Sequence, residues 1–262
     1  MKKPWGGRFT KKTASLVEAF TESISFDQRL YKYDIEGSIA HASMLAQCNL
    51  ITRRECGTII KGLRGIHKEI ESGTFQFKME REDIHMNIES ALIERIGDVA
   101  KKLHTARSRN DQIALDLRLW MRDQIQEIIE TIIALQSEFI VQAKTADNNI
   151  LPGFTHLQHA QPVMAGHYFL AYVEMLERDR TRLVDCRKRV NVSPLGACAL
   201  AGTTLDIKPE ITAKLLGFDS TFENSIDAVS DRDFCLEFAS VLAIISVHLS
   251  RFCEEWIIWS SQ

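Results

Sequence analysis

Apolar residues recur at steps of three and four along a long stretch of the chain that contains neither proline nor glycine. The stretch runs from Ser108 to about Ala146, and its apolar positions are Ile113, Leu117, Trp120, Met121, Ile125, Ile128, Ile132, Leu135 and Phe139. This spacing places them on one side of an α-helix, and Ser108 followed by Asp111 resembles a capping box. A helix of this length spans about 57 Å, too long for one compact core of a 262-residue chain. The pattern therefore predicts a bundle of long helices shared between subunits.

Two further long helices are predicted downstream. One begins at Pro162, because proline suits the first helical position, and runs to about Val190. The other begins near Asp231, is apolar on all sides and shows no stop signal before Gln262. We therefore expect the chain to end within a helix.

The residues before the long stretch predict shorter helices, at 34–49, 52–72 and 81–103. Thr52 with Glu55 offers a capping box for the second of these, and Gly73 ends it. The fold class is accordingly all-α. We predict a small N-terminal helical domain at 1–107 and part of a central long-helix bundle domain at 108–262.

Composition and charge narrow the possible partners and the compartment. The chain is 45% apolar and 26% charged with a net charge of -3, which is typical of a soluble protein without general attraction to nucleic acid or anionic membrane. Six scattered cysteines without a CxxC pair indicate free thiols in a reducing cytoplasm. The basic N-terminus is interpreted as a solvated tail, and because the first residues lack an apolar h-region we do not expect a secretory signal. The apolar run 241–252 is broken by His248 and Arg251, so we expect it not to span a bilayer.

Three polar clusters fall at predicted helix boundaries, at 81–89, 103–112 and 152–162. In the second, Thr105, Ser108, Arg109 and Asn110 stand at the start of the long helix. Unpaired backbone N–H groups and the positive end of the helix dipole make this place suitable for an anion, and an arginine there can fork onto a carboxylate. A well-capped helix with surface arginines is the alternative interpretation of the same pattern.

The other two clusters contain histidines. His156 and His159 are three residues apart, but no HExxH pattern or cysteine pair accompanies them, so no metal site is predicted. A histidine hydrogen-bonded in a loop is one interpretation; a positioned acid or base is the other, since His156 precedes a predicted helix beside Gln161. In the cluster at 81–89, helical spacing turns His85 away from the face that carries Asp83 and Asn87.

Taken in this order with WGGRF (5–9), SFDQRLYKYDIEGSIAHASML (25–45), SPLGACALAGT (193–203) and DRDF (231–234), the clusters carry a resemblance. The chain resembles the argininosuccinate lyase family of the fumarase/aspartase superfamily. The HTARSRNDQ segment is the discriminating motif, because fumarase and aspartase relatives have a shorter SxND pattern without the second arginine. The resemblance extends from Trp5 to the end of the chain.

This resemblance implies a function and a set of site residues. The family cleaves argininosuccinate to arginine and fumarate by β-elimination, without metal or organic cofactor, in a homotetramer whose sites combine segments of three chains. Its members act in arginine biosynthesis and the urea cycle. By residue-wise carry-over, His156 is the catalytic histidine, either as the base or as support for a serine on a mobile loop. The resemblance further implies that Ser23, Ser108, Arg109, Asn110 and Thr155 bind substrate and that His85, Thr105 and Gln161 support the site.

One family feature has no counterpart in this sequence. Family members are longer and carry a loop of the type GSSxMPxKxN, which supplies the catalytic serine. We therefore expect an N-terminal portion that lacks this loop and the C-terminal domain, is inactive alone and self-associates through exposed apolar helix faces. A non-catalytic structural protein similar to δ-crystallin, or a short isoform that modulates lyase tetramers, is the alternative.

Overall fold

The computed structural model describes residues 14–261, and the prediction of an all-α fold is confirmed over this part of the chain. The WGGRF motif and the basic N-terminal residues lie outside the described residues. The α-helices are α1 Ser15–Thr21, α2 Ile24–Asp27, α3 Tyr31–Gln47, α4 Arg53–Glu71, α5 Ile84–Ile96, α6 Arg109–Ala146, α7 Ala165–Val190, α8 Pro209–Leu215, α9 Ser225–Ser230 and α10 Asp233–Trp259. Short strands are β1 Ile150–Thr155, β2 Gln158–Met164, β3 Val192–Ser193 and β4 Ser220–Thr221.

The contacts divide the chain into two compact units. The first contains the described residues up to Trp120 together with Asn191–Ser230, and the second contains Met121–Val190 together with the residues from Asp231 onward. The predicted domains, 1–107 and 108–262, were divided at the start of the long helix and not by contacts between residues, and they stay a prediction.

The long helix predicted from the apolar period is present as α6, from Arg109 to Ala146. One half of the predicted capping box is present at its start, whereas the Ser108 hydroxyl accepts from Asn110 instead of Asp111. The Ser108 N–H donates to Asp111 Oδ1 at 2.9 Å, and the Asn110 N–H donates to Ser108 Oγ at 3.3 Å. Helix α4 begins with the complete reciprocal capping box predicted between Thr52 and Glu55.

The helix predicted over 81–103 is wrong in its extent. Helix α5 ends at Ile96, and residues Gly97–His104 continue as a 3₁₀ helix. The break falls at Gly97, whose φ of 67° lies in the left-handed region that favours glycine. The 3₁₀ segment after this break contacts α3, and His41 of α3 hydrogen-bonds the Thr105 carbonyl just before α6.

In the first unit, α3, α4 and α5 enclose an apolar core. Helices α4 and α5 approach closely at Gly62, where a Cβ would lie 2.6 Å from Leu92 Cδ1. Fully buried members of this core include Ile35, Leu45, Ile59, Leu63 and Ile88. This packing fixes the helices that carry the polar residues described below.

In the second unit, α7 packs against α10. Phe252 of α10 contacts the rings of Phe139 and Tyr172, with centroids 4.8 and 5.0 Å apart. The fully buried carboxylate of Asp179 on α7 accepts a hydrogen bond from His248 Nδ1 on α10 at 2.6 Å. Among the described helices, α10 is long and apolar enough to cross a membrane by length and composition, a test that core helices of soluble proteins also pass.

The helix predicted from Pro162 is wrong at its start, because residues 150–164 form an antiparallel hairpin and α7 begins at Ala165. Pro162 pairs with Pro152 across the hairpin. A proline fixes φ near -65°, which suits an extended strand as well as a first helical turn, and it biases the residue before it toward extended backbone. The local signal was therefore compatible with both structures, and cross-strand pairing decided between them.

Candidate functional site

The start of α6 holds Arg109 between two neighbouring groups. Its Nη1 donates to Gln112 Oε1 at 2.7 Å, and its Nη2 donates to Glu89 Oε2 on α5 at 3.0 Å. Its Nε lies 3.8 Å from Asp83 Oδ2. About a quarter (24%) of the side chain is exposed. The guanidinium is therefore fixed in orientation and still accessible, with N–H groups left for a ligand.

A loop from the later part of the chain closes against this helix start. Asp111 is fully buried, and its Oδ2 accepts the backbone N–H groups of Gly196 at 3.2 Å and Cys198 at 2.9 Å. Burial raises the pKa of Asp111, and the N–H donors oppose this effect. The Asn110 side-chain amide donates to the Ala199 carbonyl at 2.8 Å. The SPLGACALAGT segment is thus held to the SRND segment through one carboxylate and one amide.

A cavity of about 340 Å³ lies where these two segments meet. Its lining includes Ser108 of the predicted site and Cys198, whose φ of 56° is in the left-handed region. Its other lining residues include His104, Ala199, Gly202 and Thr203. The cavity therefore offers hydroxyl groups, backbone and an imidazole beside the start of α6.

Ser23 lies beside the start of α5. Its backbone N–H donates to the Glu82 carbonyl at 2.8 Å, and its hydroxyl donates to Asp27 Oδ2 at 2.6 Å. The other Asp27 oxygen accepts the N–H of Ile84 at 3.2 Å, and burial raises the pKa of this carboxyl. Because Asp83 of the same segment lies near Arg109 Nε, the structure brings Ser23 and Arg109 to the same region of the first unit.

Thr105 is positioned through its backbone rather than its hydroxyl. The fully buried His41 of α3 lies with Nε2 at 2.8 Å from the Thr105 carbonyl oxygen. Burial, together with the positive charge of Arg107, lowers the pKa of His41 to about 3. The imidazole is therefore neutral, and Nε2 carries the proton because a carbonyl oxygen only accepts.

His85 lies in the centre of a buried ion triad formed with Asp34 of α3 and Asp116 of α6. Its Nδ1 donates to Asp34 Oδ1 at 2.9 Å and lies 3.2 Å from Asp116 Oδ2. Burial alone would lower the pKa of His85, but the carboxylates of Asp116 and Asp34 raise it to about 10. Burial would raise the pKa of Asp34, yet the hydrogen bond and charge of His85 lower it to about 2. Burial and the charge of Asp34 raise the pKa of Asp116, and the hydrogen bond and charge of His85 oppose this effect.

The triad also has the composition of a small metal site. Its three potential ligand atoms lie within 4.8 Å of one another. A metal ion needs a neutral imidazole as ligand, whereas the raised pKa of His85 describes an imidazolium between two carboxylates. Arg107, which is buried and donates to Ser38 Oγ at 2.9 Å, adds a second positive charge near Asp34 and Asp116. We interpret the triad as an ion network that joins three helices.

The remaining predicted site residues, Thr155, His156 and Gln161, lie on the hairpin of the second unit. Thr155 pairs with Gln158, so that His156 and Leu157 form the two-residue turn between the strands. Both have positive φ, 53° and 57°, as a type I′ turn requires. His156 is exposed at the tip. A non-glycine pair in this conformation is strained, and such strain is common at functional sites.

Several residues of the site region carried no role in the sequence prediction, namely Asp34, Arg107, Gln112, Asp116 and the loop residues Gly196 and Cys198. One signal for the first was present. Asp34, Ser38 and His41 recur at steps of four and three in α3, which places a polar stripe on one face of the helix, and all three are buried. For Gln112 and Asp116, four residues apart on α6, the same stripe is visible.

Fold and site together define the class. Residues 7–262 match the family model described as "Lyase". The structure of EDDS lyase in complex with formate has a TM-score of 0.83 at 31% identity, covering 97% of this chain and 50% of that one. The structure of 3-carboxy-cis,cis-muconate lactonizing enzyme from Pseudomonas putida has a TM-score of 0.72 at 22% identity. The match covers 92% of this chain and 57% of that enzyme's chain, and it shows the fold alone. The chain belongs to this lyase family, in the fumarase/aspartase superfamily.

Some relatives of known name are more similar to this chain than these solved structures are. Proteins named argininosuccinate lyase from Alkaliphilus metalliredigens and Pseudomonas syringae pv. tomato are 58% and 56% identical over 259 and 257 residues. The alignments cover 99% and 98% of this chain but 56% and 55% of the relatives. The resemblance predicted from the motifs is therefore confirmed. The chain spans about half the length of the curated relatives that it matches.

Proposed function

We propose that the complete protein carrying this sequence cleaves argininosuccinate to arginine and fumarate by β-elimination, a step of arginine biosynthesis and the urea cycle. The observation that carries the proposal is the start of α6, where a fixed and accessible Arg109 stands beside Ser108 and Asn110. The identity to proteins named argininosuccinate lyase over almost the whole chain supports the choice of substrate.

The proposed chemistry assigns a role to each group. A proton must leave a carbon next to a carboxylate, and the resulting carbanion is stabilised when that carboxylate takes up the charge as a dianion. Fixed N–H and hydroxyl donors stabilise such a charge because they need no rearrangement as it develops. Arg109, Asn110, Ser108, Ser23 and Thr155 are the proposed donors. The departing guanidine of arginine takes up a proton, and no metal or organic cofactor is required.

The proton transfer is assigned to His156. It takes the proton directly, or it supports a serine on the mobile loop that the family carries. His85, Thr105 and Gln161 hold the surrounding structure; for His85 and Thr105 the support passes through the buried contacts of α3. The strained turn at the hairpin tip supports a functional role for His156, because the unfavourable φ would otherwise be relieved by glycine.

The setting of the enzyme is part of the proposal. All six cysteines are free thiols, which supports a reducing cytoplasm. We propose a homotetramer whose helices cover the apolar faces of α10. Because the chain spans about half of its relatives, we further propose that it releases no fumarate alone. Measurable fumarate release by the purified 262-residue chain would refute this last point.

The test of the catalytic assignment is His156→Asn in the complete protein. General acid–base catalysis contributes on the order of 10²–10⁴-fold, so we expect kcat to fall by about that factor while the protein stays folded. His159→Asn is the matched control, because His159 lies on the same hairpin and packs against Phe154, with ring centroids 4.9 Å apart. Near-wild-type fumarate release by His156→Asn would remove His156 from the chemistry.

A further inference from the structure

The side-chain amide of Gln112 is held in one orientation by the groups on its two sides. Gln112 is buried on the first turn of α6, with 3% of its surface exposed. Its Nε2 donates to Asp34 Oδ1, and its Oε1 accepts from Arg109 Nη1 at 2.7 Å. A carboxylate only accepts and a guanidinium only donates. The reversed amide would set donor against donor and acceptor against acceptor, so the contacts select a single rotamer.

The inner end of this connection is itself fixed. Asp34 Oδ1 also accepts from His85 Nδ1 at 2.9 Å, and the same nitrogen lies 3.2 Å from Asp116 Oδ2. All three members of the triad are at least 97% buried. A continuous series of contacts therefore runs from the triad through one amide to Arg109. Buried polar networks of this kind hold their members in place because each unpaired group is costly.

At the outer end, Arg109 is held on two edges. Gln112 accepts from Nη1, and Glu89 accepts from Nη2. Loss of the Gln112 contact would leave the guanidinium attached to Glu89 of α5 and near Asp83, both of them carboxylates. The arginine would then turn toward these acidic groups and away from its place on α6. Gln112 thus supplies a neutral acceptor that keeps Arg109 from being fully occupied by carboxylates.

We propose that Gln112 is a positioning residue, which aligns the Arg109 guanidinium for a substrate carboxylate and makes this alignment depend on the buried Asp34–His85–Asp116 triad. The inference rests on the proposed function, in which Arg109 binds the substrate. It gives the triad a role in the site although none of its members needs to touch the ligand.

The first variant is Gln112→Met in the complete protein, which keeps the length of the side chain and removes both hydrogen-bonding functions. We expect KM for argininosuccinate to rise by about tenfold or more, as for a lost hydrogen bond to a charged group, with a smaller change in kcat. Gln126→Met is the matched control, because Gln126 is exposed on the same helix and its amide donates to Glu130 one turn away. The control should leave KM and kcat unchanged.

A double-mutant cycle separates positioning from a merely structural role. If Gln112 acts through Arg109, Arg109→Met combined with Gln112→Met has the kcat/KM of Arg109→Met alone. Effects that add in the double variant, or an unchanged KM in folded Gln112→Met, would overturn the inference. If the methionine variant does not fold, Gln112→Glu serves instead, because it keeps the volume, still accepts from Arg109 and sets a carboxylate oxygen against Asp34. KM should then rise in the same direction, and an unchanged KM would again overturn the inference.

The wild-type assay distinguishes the two levels of the proposal. Complete wild-type protein that releases no fumarate from argininosuccinate refutes the proposed function, and the inference about its substrate falls with it. Wild-type turnover together with additive variants refutes the inference alone and leaves the proposed function standing.

Discussion

At the scale of single residues, the buried charges of the first unit must compensate one another. An isolated charge in a core is very unfavourable, whereas a paired and hydrogen-bonded one is tolerated. His85 provides the pairing for both Asp34 and Asp116 through one nitrogen, and Arg107 adds a second positive charge. Removing the imidazole would leave two carboxylates in the core without their main partner.

We therefore expect His85→Gln to lower the free energy of unfolding by about 3–5 kcal/mol, the cost of breaking a buried ion pair. The folded-state pKa of His85 is raised to about 10, so its stabilising contribution is complete below the unfolded value of about 6.5. It is lost as the pH rises through the folded value. Urea denaturation of wild type and variant at pH 6 and at pH 10 measures this difference.

The control for this comparison is His67→Gln. His67 pairs with Glu71 one turn along α4 at 3.2 Å, and its side chain is 27% exposed. Pairs near the surface contribute about 0–1 kcal/mol, so this variant should remain close to wild type. A difference between wild type and His85→Gln that is equally large at both pH values would contradict the ionised triad.

At the scale of the elements, the hairpin between α6 and α7 stores strain in its turn. Leu157 adopts a φ of 57° although its side chain is 84% exposed and buries little surface. A left-handed conformation costs a non-glycine residue about 1–2 kcal/mol. Leu157→Gly should therefore stabilise the hairpin by about 1 kcal/mol, seen as slower amide hydrogen exchange at Thr155 and Gln158. Gln158→Gly, in the adjoining strand, should accelerate exchange, and faster exchange in Leu157→Gly would contradict the strained turn.

The elements also show what local sequence can predict. The starts of α4 and α6 could be predicted because capping residues and an apolar period coincide there. The hairpin could not, because nearly all of its residues are exposed and no apolar alternation marks its strands. Its proline at 162 fits a first helical turn and an extended strand equally well.

The candidate site also contains residues that the sequence could predict and residues that it could not. Arg109 and His156 could be predicted from the resemblance, because each lies within one of the motifs that carry it. The triad and Gln112 were not, because their roles arise when α3, α5 and α6 pack together. A polar stripe indicates that a buried polar partner exists, but tertiary packing decides which residue it is.

At the scale of the whole molecule, α10 has apolar side chains on opposite sides. Phe234, Phe238, Val241 and Ile245 form its buried side. Leu236, Val247 and Ile258 are eleven residues apart, which is close to three helical turns, and they form an exposed line that is 67%, 56% and 57% accessible. An apolar strip of this kind favours association.

We expect the purified chain to self-associate through this strip, and sedimentation velocity at several concentrations measures it. The triple variant Leu236→Lys, Val247→Lys and Ile258→Lys places charges along the exposed line without touching the buried side of α10. It should shift the distribution toward the monomer, since burying an unpaired charge is unfavourable. Leu215→Lys, a change at an exposed leucine (54%) of α8 in the first unit, is the control and should leave the distribution unchanged. A wild-type chain that sediments as a monomer at every concentration would contradict the prediction. An oligomer that survives the triple variant would place its interface on another surface.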